Sequence, residues 1–175
     1  AASLFETASD PKRPDAERIS AVQQLISFQS QSDEAVKNVL SLITPKTSAE
    51  LAAQLIAALS GSQAAALGPQ LVDRAPSFSP AVRAAALRLL LARPATTTVF
   101  LKAVEDGSLQ LAELSLDQKQ ALSTHPDKAL RDRANKLLKQ TGGLPNADRE
   151  KVVQELHSVT ETRGDVALGK EVFKK

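Results

Sequence analysis

The sequence has no cysteine, methionine, tryptophan or tyrosine, and its only aromatic side chains are Phe5, Phe28, Phe78, Phe100 and Phe173. The lack of cysteine excludes a disulfide framework, a thiolate metal site and a cysteine nucleophile, while remaining compatible with either redox compartment. With so few aromatics, the core has to be built from Leu and Ala, which suits helices that lie close together. A large excess of one charge is also missing. The net +2 at pH 7 singles out neither nucleic acid nor membrane as a partner. No apolar run approaches the roughly 20 residues of a membrane-spanning helix, and the longest, Ala84 to Ala92, is broken by Arg88. No secretory-signal pattern opens the chain, which leaves the compartment open because the chain reads as a segment excised from a longer one.

What is present in abundance is Leu, Ala, Gln, Glu, Lys and Arg, all good helix formers, so the expected class is all-α. The stretch Ser79 to Pro94 sets the pattern: Ser79 can cap, Pro80 suits the first helical position, and Arg83, Arg88 and Arg93 point in three directions instead of forming one solvent face. Such a helix is expected to be covered on both flanks. In chain order the pattern predicts a short helix over 1–9 and one from Pro14 to about Phe28, with Phe28 at the margin of its apolar face. A third starts at Ser32 or Asp33, and a fourth opens on a capping box at Thr47-Ser48-Ala49-Glu50 and ends at Gly61. A helix over 63–75 is interrupted by Pro69, which either kinks it or marks its true first turn. After the 79–93 helix come one from Pro94 to Asp106-Gly107, with Leu109 folding back, a looser connection over 109–114, and a capping box at Ser115 to Gln118. Further helices are expected from Asp127 to Gly142-Gly143, over 147–159 and over 165–174.

Three of these helices align on an Arg, an Ala three residues later and a Leu seven later: Arg18/Ala21/Leu25, Arg83/Ala86/Leu90 and Arg131/Ala134/Leu138. Ala52/Leu55/Leu59 fits the slot without the Arg. The slots begin at 18, 52, 83 and 131, spacings of 34, 31 and 48. That period predicts a right-handed α-solenoid of antiparallel helix pairs, a superhelix of the HEAT or armadillo type, over residues 1–161. The small Ala lets helices approach, the Leu fills the interface, and each pair leaves an apolar flank for its neighbour. The three arginines either line a ligand groove or, as such motifs more often use them, pair with a carboxylate or a loop carbonyl of the next repeat.

From Leu101 the sequence carries a more particular signature. The run LKAVEDGSLQLAELSLDQKQALSTHPDKALRDRANKLL, followed by GDVALGKEVF at Gly164 to Phe173, resembles the large planctomycete and verrucomicrobial membrane-bound dehydrogenase and haem-binding proteins, over roughly the last 75 residues. In that family a helical-repeat segment precedes a cytochrome c domain. The resemblance implies that residues 162–175 are a linker and the first helix of that domain, with Gly169 and Phe173 forming the G-x-x-x-F that stands before the haem-attachment C-x-x-C-H. The attachment motif would fall beyond Lys175, so haem c is expected in the longer protein and no cofactor in this segment. The resemblance further implies an upstream dehydrogenase-like domain, and export to the periplasm or beyond.

Signals for chemistry are sparse. His125 precedes a proline in a turn, and His157 lies on an expected helix with no second ligand at metal spacing. The acidic residues spread over helix faces, and neither Gly61-Ser62 nor Gly142-Gly143 has the frame of a phosphate loop. No catalytic, cofactor-binding or metal residue is assigned. Lys128, Arg131, Arg133, Lys136 and Lys139 form the best basic patch, interrupted by Asp127 and Asp132. The leading expectation is a non-catalytic scaffold that spaces and docks domains of an exported haem-linked protein, with adjacent domains of the same chain as partners and no membrane segment. The alternatives are a free-standing HEAT-type module that binds a protein or peptide, and a HEAT-like DNA-binding protein or DNA glycosylase; nucleic acid is not the expected partner.

Overall fold

The computed structural model describes residues 2–140 and His157. Among these the chain is all α, with helices α1 (Ala2–Ser9), α2 (Asp15–Phe28), α3 (Asp33–Ser41), α4 (Ala49–Ala58), α5 (Leu67–Arg74), α6 (Pro80–Leu91), α7 (Pro94–Glu105), α8 (Leu116–Ser123) and α9 (Lys128–Gln140). Short 3-10 turns occupy Leu59–Gly61, Ala75–Ser77 and Leu111–Glu113. No described helix is long and apolar enough to cross a membrane. The helices expected over 147–159 and 165–174, and the division between residues 161 and 162, lie outside the described residues.

Local chemistry fixes most of the boundaries. Ser32 accepts from Ala35 N and starts α3, Asp127 Oδ1 accepts from Ala129 N and Leu130 N ahead of α9, and the Ser115–Gln118 capping box forms in both directions. At the end of α7, Gly107 takes a positive φ of 77°. Its N–H reaches Val104 O, and Ser108 N reaches Ala103 O, the paired bonds of a Schellman ending. Leu109 then folds back and is buried, as expected.

Three local expectations are corrected, and the alternative left open at Pro69 is decided. Ser48, not Thr47, caps α4, because the Thr47 hydroxyl donates to Leu42 O in the preceding loop. Gly61 is not a left-handed stop: α4 ends at Ala58 and tightens into a 3-10 turn. The helix around Pro69 begins only at Leu67, so the proline sits in the first turn, where its missing N–H costs no intrahelical bond. Phe28, the last residue of α2, is 77% exposed.

Alternate helices pack on one another. α2 lies against α4 and α4 against α6, while α3 lies against α5, α5 against α7 and α7 against α9; α1 packs on α2, and α8 on α9. α4, which packs mainly on α2 and α6, buries Leu51, Ala52, Leu55, Ile56 and Ala58. α6 buries Val82, Ala86, Leu87, Leu89 and Leu90 and, beyond its first residue Pro80, leaves only the strip Ala81, Ala84 and Arg88 open, so its flanks are covered as the sequence suggested. Each fully buried Leu of this set contributes roughly 1.5–3 kcal/mol relative to exposure, and the small Ala21, Ala52 and Ala86 leave room for neighbouring backbones.

The repeated slot does not fix the row in which a helix stands. Ala21 and Leu25 of α2 and Ala86 and Leu90 of α6 belong to helices joined in series through α4. Ala134 and Leu138 occupy the same slot in α9, yet α9 packs on α7 and α8 and so stands in the other row. The connection after α7 inserts a 3-10 turn and the short helix α8 before α9, so α9 comes one helix later in the alternation.

Candidate functional site

The arginines of the repeated slot all perform one local task. Arg18, Arg83 and Arg131 are each the fourth residue of their helix. From there Arg18 Nε donates to Ala8 O (3.0 Å), Arg83 Nε to Ala75 O (3.0 Å) and Arg131 Nη1 to His125 O (2.7 Å). Carbonyls at the end of a helix are short of donors from their own ladder, so a guanidinium arriving from the next helix supplies one; at Ala75 O it joins the Phe78 N–H. The carbonyl therefore comes from the segment before each arginine, not from the following repeat. Arg83 does both: its Nη2 also reaches Pro76 O (3.2 Å), and its Nη1 meets Glu113 Oε2 at 3.2 Å, thirty residues ahead.

The apolar members of the slots are core positions. Ala21, Leu25, Ala86, Leu90, Ala134 and Leu138 are at most 3% exposed, and Ala52, Leu55 and Leu59 are buried with them. Of the six, Leu25 alone borders a described surface hollow, a small one of about 220 Å³ that it shares with Ala2, Phe5 and Gln29. Ala134 and Leu138 are as deeply buried as their counterparts in α2 and α6, although different helices cover them.

A second set of polar contacts escaped the sequence reading. Ser30 O accepts from Gln63 N (2.6 Å) and from Ser62 Oγ (3.2 Å), the latter 32 residues on. Asp33 Oδ1 accepts from Ala66 N (2.9 Å), 33 residues on. Arg74 Nη2 donates to Ile43 O (2.9 Å) and Arg93 Nη2 to Ser62 O (2.6 Å), both across 31 residues. These loops are tied at the interval that separates the first three Ala/Leu slots. The signal was available, since Arg74 and Arg93 each stand 31 residues after a loop residue, but neither belongs to the repeated Arg slot.

The basic patch on α9 is partly spent within the fold. Arg133 makes a two-pronged contact with Glu105 of α7, Nε to Oε1 at 2.6 Å and Nη2 to Oε2 at 2.5 Å. The hydrogen bond from Arg133 holds the Glu105 carboxyl below its ordinary value of 4.5, against some desolvation, and the same bond raises Arg133. Because the folded-state pKa is depressed, this link favours the fold above the ordinary carboxylate range and is lost as pH falls through the lowered value. With Arg131 and Arg133 engaged, Lys128, Lys136 and Lys139 are the exposed cations of the patch.

His125 Nδ1 accepts from Asp127 N at 3.1 Å in the turn before α9, and His157 is helical and exposed. Among the described residues no group of three or more His, Asp or Glu is placed to hold a metal ion. Gly169 and Phe173 lie outside the described residues. Two open cavities of about 590 Å³ each indent the surface, one where the loops before α4 and α6 meet, the other between α5 and α7 with Arg133 of α9 at its edge. Compared with known proteins, the chain matches no family model, no curated sequence and no solved structure.

Proposed function

We propose that this chain is a non-catalytic α-solenoid of HEAT or armadillo type that spaces and docks the domains of a larger, exported, haem-linked protein. The observation that carries the scaffold reading is the recurrence of hydrogen bonds between loops and helix ends at 31–33 residues, Ser62 to Ser30, Ala66 to Asp33, Arg74 to Ile43 and Arg93 to Ser62. The packing of α2, α4 and α6 in series, beside α3, α5, α7 and α9, supports it. Repeating units that touch only their neighbours hold their ends at a fixed separation, which is what a spacer between an electron donor and an acceptor requires. The haem connection rests on the likeness of Gly164 to Phe173 to the segment before a haem-attachment motif; haem itself would be held by residues beyond Lys175, since this segment has no cysteine.

A specific feature favours a second reading, a free-standing module that takes a peptide. The cavity between α5 and α7 has apolar walls from Pro69, Val72, Pro76, Val99 and Ala103, with Lys102 at its rim. The reading frame past Lys175 separates the two. A C-x-x-C-H within about ten residues, together with covalent haem on the purified full-length protein, supports the spacer; further helical repeat in its place rejects it and favours the peptide-binding module.

A further inference from the structure

The cavity where the loops before α4 and α6 meet has a lining that a spacer does not use. At about 590 Å³ it falls within the range of small-molecule sites. Arg74 is its only charged lining residue among those described, and no described carboxylate faces it. The Arg74 guanidinium spends one N–H on Ile43 O and lies 6.0 Å from the centroid of the Phe78 ring. A guanidinium carries five N–H donors in a planar fork that matches a carboxylate, so holding the loop leaves donors over.

The remaining lining completes an amphipathic site. The hydroxyls of Thr47 and Ser77 are committed to Leu42 O and Arg74 O, whereas Ser79 makes no capping bond to the first turn of α6. Ile43, Phe78 and Val82 form an apolar wall. A ligand here meets one positive charge, one uncommitted hydroxyl and a hydrocarbon surface. A phosphate dianion would find half of its charge unmatched and no use for the wall.

We infer that this cavity binds a small organic monocarboxylate, its carboxylate on Arg74 and Ser79 and its apolar body against Ile43, Phe78 and Val82. The inference is independent of the haem connection. The test is an NMR titration of the whole 175-residue chain with benzoate, with neutral benzamide and with inorganic phosphate, at low ionic strength. Benzoate is expected to bind saturably in the millimolar range, shifting amides in 43–49 and 74–82, with benzamide and phosphate each weaker by roughly tenfold or more, the size of a lost charge-assisted contact. Ser79→Asp puts at the N-cap position of α6 a residue well suited to it while placing a negative charge in the cavity, and should weaken benzoate to the same degree with the circular dichroism unchanged. Arg74→Gln should do likewise; if it unfolds the chain, Ser79→Asp decides. Absence of saturation, shifts confined to other residues, equal binding of benzamide, phosphate binding as tight as benzoate, or a Ser79→Asp variant that binds unchanged would each overturn the assignment.

Discussion

Arg83 holds three oxygens at once, two carbonyls behind it and one carboxylate ahead, and so joins the loop after α5, its own helix and the turn after α7. The residue type and position of the three slot arginines were readable from the sequence, because a guanidinium at a fixed place in an Ala/Leu helix is conspicuous. Their partners were not, since a carbonyl is present at every residue and leaves no mark on the sequence. The same blindness hid Arg74 and Arg93, whose acceptors are backbone oxygens of Ile43 and Ser62. Replacing Arg83 by Ala leaves the carbonyl of the buried Ala75 with the Phe78 N–H alone and removes the contacts to Pro76 O and Glu113, and should cost about 1–3 kcal/mol in urea unfolding. Arg83→Lys should recover only part of that, because an ammonium cannot present the fork that reaches several acceptors together. A loss below about 0.5 kcal/mol, the level of an ordinary surface substitution, would mean that the clamp contributes nothing to stability.

At the scale of the element, starts and stops were legible wherever a side chain competes for the backbone groups at a helix end. Ser32, Ser115 and Asp127 cap as read, and Gly107 closes α7 with Leu109 folded beneath it. The misreadings came where two neighbours could serve and tertiary structure chose, as at Thr47 and Ser48, or where a glycine offered a stop that the chain did not need. Gly68 had no reading from sequence, and the structure supplies one: it lies in the first turn of α5, where an added Cβ would meet three atoms of Val99 on α7 at 3.1, 3.2 and 3.3 Å. Alanine in place of glycine in a helix gains up to about 1 kcal/mol by propensity alone. Gly68→Ala should therefore fail to stabilise the wild-type chain, yet stabilise a Val99→Ala background by about 0.5–1 kcal/mol, where the contact has been removed. Thermal unfolding of the four proteins checks this, and an equal gain in both backgrounds would show that α5 and α7 do not touch there.

For the whole molecule, the packing pattern predicts uneven stability. α4 packs mainly on α2 and α6, whereas α1 packs on α2 alone among the pairs with substantial contact, and α9 closes the other end of the described chain. Units covered on two sides open less often than units covered on one. Native-state hydrogen exchange should find its slowest amides in α4 and α6 and faster exchange in α1, α8 and α9. Uniform protection from α1 to α9 would mean a single cooperative core and would remove the physical basis for reading repeats.

The sequence by itself determined that the described residues are helical, which Leu and Ala positions of the repeated slots are buried and how often that pattern returns, because helix propensity, apolar period and capping act over a few residues. It did not determine where each helix stands. Leu25, Leu90 and Leu138 fill one slot in α2, α6 and α9 and are all buried, yet α9 packs on α7, since an identical local pattern can be satisfied by whichever neighbour the connecting loop allows. Only the tertiary structure decided which loop carbonyl each arginine reaches, and that Arg74, Phe78 and Ser79 share a cavity. Those juxtapositions join residues far apart in the chain through backbone atoms and hydrocarbon surface, which every sequence has and no motif marks.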